Sequence, residues 1–91
     1  MELTDLRAQI DGLDRQLVAL LEQRLDVAAG VARYKMERGL PVLDAGREAE
    51  KLAAVRAMCR RSTADLIAGL FEQIMASCRA YETDLIEHDQ T

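Results

Sequence analysis

Apolar positions recur at three- and four-residue intervals along the chain, and no stretch of any length alternates with the two-residue period of a strand. The first series, Leu6, Ile10, Leu13, Leu17, Leu20, Val27 and Val31, predicts one helix from near Thr4 to the break at "RGLP", residues 38–41. Thr4 is the expected N-cap ahead of Asp5 and Leu6. Gly39 is the expected C′ residue and Pro41 the stop. Leu52, Val55 and Met58 or Cys59 predict a shorter second helix behind Asp44 as its N-cap, with Glu48 adding negative charge to the first turn. Ser62, followed three residues later by Asp65, resembles a capping box at the start of a third helix. Its apolar positions run through Leu66, Ile67, Leu70, Phe71, Ile74, Met75, Cys78, Tyr81, Leu85 and Ile86, with fraying expected in "EHDQT". The predicted fold class is all-α: three helices, long, short and long, in one domain over residues 1–91.

The first helix is too long for its chain. About 34 residues at 1.5 Å each extend roughly 50 Å. A compact chain of this length has a radius of gyration of only ~12 Å. One short and one long helix cannot cover so long an apolar face, so a symmetric dimer pairing two long helices is expected. A coiled-coil homodimer without chemistry satisfies the same pattern.

Composition narrows the partners. Apolar residues make up 49% of the chain, enough to fold, while aromatics are only 3% and Trp is absent, which leaves no base-stacking platform for nucleic acid. The net charge of −4 argues against a phosphate-backbone footprint. Cys59 and Cys78 lack metal-ligand spacing, and the single His88 has no partner His or Cys, so no metal site is expected. "MELTDLRAQID" carries acids and no apolar core, unlike a signal peptide, and no apolar run approaches the length of a membrane span. These features together predict a soluble cytoplasmic protein.

Against this background the cations of the first helix stand out. At 100° per residue, Arg24 projects roughly 20° from Val31 and roughly 40° from Leu20, and Lys35 about 20° from Arg24. Both cations point the way the leucines point. A buried cation without a partner costs several kcal/mol, so an anion is expected beside them. A lone inward Arg is commonly a snorkelling side chain or a registry device. Two such cations, ~16 Å apart on one line, suit the two ends of a small dianion. Arg7 lies on the edge of the stripe, about 25 Å from Arg24 along the same helix, too far to share a ligand with it except from a second, interleaved chain. Asp44, Arg47 and Glu48 stand at the start of the second helix, where one is read as a cap and two as solvated charges. Glu82 borders the face of Ile74, Cys78, Tyr81 and Leu85, and read alone is a surface carboxylate.

Taken together, "LRAQIDGLDRQLVALLEQR", "VARYK" and "PVLDAGREAE" resemble the all-helical (AroQ-class) chorismate mutase family, over roughly residues 3 to 86. The match is tight through the first helix and the following loop, and looser in "AMCRRSTADL", which is shorter than the family's usual length. The resemblance implies an intertwined helical homodimer with two shared sites, each converting chorismate to prephenate without a cofactor. Carried over by position, it implies that Arg24 and Arg7 from the second chain hold the two substrate carboxylates. It further implies that Lys35 serves a carboxylate and the ether oxygen, and that Glu48 accepts from the ring hydroxyl beside Asp44 and Arg47. Val31, Met75 and Cys78 match positions that pack on the substrate. Glu82 stands where many members carry a Gln that donates to the ether oxygen, and must be protonated to do the same. Two relatives on the same scaffold are alternatives: isochorismate-pyruvate lyase, and aminodeoxychorismate mutase, whose ammonium Glu48 can also accept. A non-catalytic helical dimer or regulatory module is the alternative of another class.

Overall fold

The computed structural model describes residues 2–89 as three helices: α1 (Leu3–Arg38), α2 (Ala45–Met58) and α3 (Ala64–Asp89). The all-α, long-short-long expectation is borne out. The predicted fraying of "EHDQT" is not seen as far as Asp89, where α3 ends, and the rest of that segment lies outside the described residues.

The helix ends show which local signals act. Gly39 adopts φ 64°, the left-handed conformation that side chains resist. Its N–H donates to the Met36 carbonyl and that of Leu40 to the Lys35 carbonyl, the double closure of a Schellman motif. Asp44 caps α2, its Oδ1 accepting from the Arg47 N–H at 3.0 Å. Two other expected caps are absent. α1 starts at Leu3 behind Glu2, without a side-chain cap, so Thr4 lies inside the helix. Arg56 engages the Asp65 carboxylate, and Thr63, whose hydroxyl donates to Arg60 O, immediately precedes α3 in place of a Ser62–Asp65 box.

α3 is the spine: α1 and α2 each pack on it and not on each other. The molecule measures 54 × 28 × 14 Å, and its radius of gyration of 16.4 Å exceeds the ~12 Å of a compact chain this long. The core is thin. It consists of Ala28 and Ala32 of α1, Val55 of α2, and Ala68, Met75 and Cys78 of α3. The inner face of α2 ends on half-buried Cys59, not Met58, which is exposed. Small residues carry the α1–α3 contact because they let the two backbones approach. The large residues of the α1 stripe, from Leu3 to Val31, stay exposed on the chain.

Candidate active site

Around the helix axis, Ala28 and Ala32 project roughly 100° away from the stripe of Leu20, Val27 and Val31. Arg24 and Lys35 project between the two directions. They are therefore half-buried at the border where α1 meets α3, and are not buried under the stripe as expected. There they line a cleft of about 330 Å³, with Val27 and Val31 of the stripe at its edge.

The loop after α1 supplies the second wall. The turn at Gly39 brings Val42 back over the end of the helix, and Lys35 Nζ donates to its carbonyl oxygen at 2.7 Å. An ammonium has three donors, so Lys35 keeps two for a ligand. The Asp44 cap then sets Arg47 and Glu48 on the first turn of α2, and both line the cleft. α3 supplies the floor with Met75, Cys78 and Glu82. Arg24 Nη1 lies 2.8 Å from the Cys78 Sγ. A thiol is a weak acceptor, which leaves the guanidinium poorly satisfied and open to a better anion.

Glu82 is the polar oddity of the core. It is 7% exposed, and its Oε1 is buried without a hydrogen-bond partner. Burial pushes its pKa above the ordinary carboxylate value, Lys35 and Arg24 oppose that shift, and the Glu48 charge adds to it. A raised pKa extends upward the pH range over which the carboxyl group carries a proton it can donate.

Nine of the ten residues singled out from the sequence meet in this cleft: Arg24, Val31, Lys35, Asp44, Arg47, Glu48, Met75, Cys78 and Glu82. Arg7 does not; it stands exposed near the far end of α1, about 25 Å away by helix rise. Two cations escaped the sequence reading, Lys51 and Arg79. The signal was present: Lys51 follows Arg47 by four residues and Arg79 precedes Glu82 by three, so each shares its neighbour's helix face. Arg79 forms an ion pair with Glu48 across the α2–α3 junction. The cleft thus collects five cations and three carboxylates, in a chain of net charge −4. Such a site suits a small dianion. Among the described residues, no cluster of His, Cys, Asp or Glu is arranged to hold a metal ion, and no helix is long and apolar enough to cross a membrane.

A family model described as chorismate mutase type II matches residues 6–83. The chain belongs to that family. It is similar to the T-protein of Haemophilus influenzae, at 37% identity over 88% of this chain and 22% of that protein. It is 26% identical to the chorismate mutase of Methanocaldococcus jannaschii, over 98% of this chain and 92% of that protein. It is 41% identical to the 4-amino-4-deoxychorismate mutase of Streptomyces venezuelae, over 50% of this chain and 45% of that protein. The chain spans under a quarter of the length of the T-proteins it matches, at 22% and 23%. No solved structure matches.

Proposed function

We propose that the chain is a chorismate mutase, a single helical domain that rearranges chorismate to prephenate in aromatic amino acid biosynthesis. The observation that carries this reading is the convergence of Arg24, Lys35 and the buried, unpartnered Glu82 on one cleft with apolar Val31 and Met75 beside them. The reaction is an intramolecular [3,3] shift. A C–O bond breaks, a C–C bond forms, and the electron pairs move in one cycle, with no nucleophile and no external proton. The site has two tasks. It holds the enolpyruvyl side chain folded over the ring, which is an orientation task for paired cations. It also stabilises negative charge growing on the ether oxygen, which preorganised donors do best where water is excluded.

In this reading Arg24 and Lys35 take the carboxylates, Lys35 and protonated Glu82 donate to the ether oxygen, and Glu48 accepts from the ring hydroxyl with Asp44 and Arg47 beside it. Val31, Met75 and Cys78 pack on the substrate. The enzyme acts as a homodimer in the cytoplasm, and Arg7 of a second copy completes each site. The long exposed stripe on α1 supports the dimer, because apolar surface of that extent marks an interface. The set of five cations weighs against a non-catalytic helical module, for which so many like charges in one cleft are only a liability.

Loss of chorismate absorbance on adding the purified chain tests the reading. Turnover should fall by about 10²–10³ in Arg24→Ala and Lys35→Ala, with helicity unchanged, since each removes a donor that acts mainly in the transition state. An inactive wild type, or variants with near-full activity, would contradict it.

A further inference from the structure

The ion pair between Glu48 and Arg79 is a feature the rearrangement itself does not use. The two side chains are 25% and 33% exposed, so the pair is only partly wet. Glu48, which lines the cleft, accepts from Arg79 Nη1 through Oε1, which leaves Oε2 as the acceptor available to a ligand. Lys51 and Arg47 line the same cleft. Glu48 can still receive a hydrogen bond, but its charge is offset at contact distance.

That arrangement treats two ring substituents differently. A hydroxyl donates one hydrogen bond to Oε2 and brings no charge. A protonated amine brings a full positive charge, and the guanidinium that neutralises Glu48 repels it at close range. An unpaired carboxylate would have the reverse preference, because a charge-assisted hydrogen bond is roughly twice as strong as a neutral one. We propose that Arg79 is a specificity-determining residue: by pairing with Glu48 it makes the cleft select a substrate with a hydroxyl, and reject one with an ammonium, on the ring carbon that faces Glu48. Arg79 acts through Glu48 and is a positioning residue. The proposal rests on the chorismate mutase reading.

The test compares chorismate with 4-amino-4-deoxychorismate at neutral pH, as the ratio of their kcat/KM values. Arg79→Met keeps the apolar stem and removes the charge; Arg79→Lys keeps the charge. The ratio of chorismate to the amino substrate should fall about tenfold or more in Arg79→Met, which corresponds to 1.4 kcal/mol. It should stay within about twofold of wild type in Arg79→Lys, because the opposing charge remains. A structural role for Arg79 would lower both rates together and leave the ratio unmoved. If Arg79→Met loses its helicity, Arg79→Gln gives the same readout. An unchanged ratio in the charge-free variant, or an equal shift in Arg79→Lys, overturns this inference and leaves the mutase reading standing. A wild type that turns over neither substrate overturns both.

Discussion

Residues 3–21 and residues 24–38 of α1 form one unbroken helix with one apolar repeat, yet they meet different surroundings. In the C-terminal half, Ala28 and Ala32 are buried against α3, Arg24 and Lys35 are half-buried, and a cleft forms beside them. In the N-terminal half nothing among the described residues covers the stripe: Leu6, Ile10, Leu13, Leu17 and Leu20 remain 42–59% exposed. One half borders the cleft proposed as the active site, and the other carries exposed apolar surface and Arg7. In the proposed dimer, each half meets its counterpart in a second copy of the chain. A helix longer than its own core is the simplest way to build a site from two chains.

The strongest way to break that comparison is to charge the uncovered half. Leu13→Glu alters a residue 58% exposed on the chain, where a surface substitution would ordinarily shift stability by less than about 0.5 kcal/mol. If a second copy covers Leu13, two leucines per dimer lose their burial. The melting temperature should then fall by about 10 °C or more, and sedimentation should report monomer or unfolded chain. An unchanged melt and mass would leave the N-terminal half as plain surface.

Across the cleft from the other half, on α3, Glu82→Gln sharpens the account of the site. The native pKa of Glu82 is raised above 4.5, so the folded state keeps a proton that the unfolded chain has released. Stability contributed by the neutral form is therefore complete at low pH and is lost as pH rises through the window above 4.5. Glu82→Gln should melt higher than wild type at neutral pH, and the gap should close under acid. Wild-type kcat/KM should rise as pH falls from about 8 to about 5, and the Gln variant should give a flatter profile with its largest gain at high pH. Parallel profiles would remove Glu82 from the chemistry.

The smallest effect lies outside both halves. Asp65 pairs with Arg56 at the start of α3, but its side chain is 96% exposed. Asp65→Asn should move the melting temperature by no more than a few degrees, and less in high salt. A larger loss would mean that the α2–α3 turn depends on this pair.

How much of this was legible in the sequence follows from where each signal resides. Gly39 and Asp44 read correctly because their roles are local: a left-handed turn and a cap need only the residues around them. Thr4 and the Ser62–Asp65 box misread because a capping pattern is one option among several, and Arg56, nine residues from Asp65, took the carboxylate. The large residues of α1 pointed to a buried face, whereas within the chain the contact with α3 is carried by Ala28 and Ala32, which a search for bulky apolar positions passes over. Arg24 and Lys35 were visible as cations in an apolar repeat. Lys51 and Arg79 acquire meaning only when α2 and α3 dock, because each faces the site across a helix junction. The proposed cover for the N-terminal half would come from a second chain, and a single sequence shows only the exposed stripe that calls for it.

The most direct test of the shared site mixes two broken chains. Arg7→Ala and Arg24→Ala should each be nearly inactive and fully helical. After unfolding and co-refolding at equal concentration, half the dimers should contain one chain of each kind, and in each of these one site has both arginines. Activity should return to about a quarter of the wild-type value, the statistical yield for two equivalent sites in a symmetric dimer. Activity that stays at the sum of the two separate variants would contradict the account, because Arg7 and Arg24 would then serve a site within one chain or no common site at all.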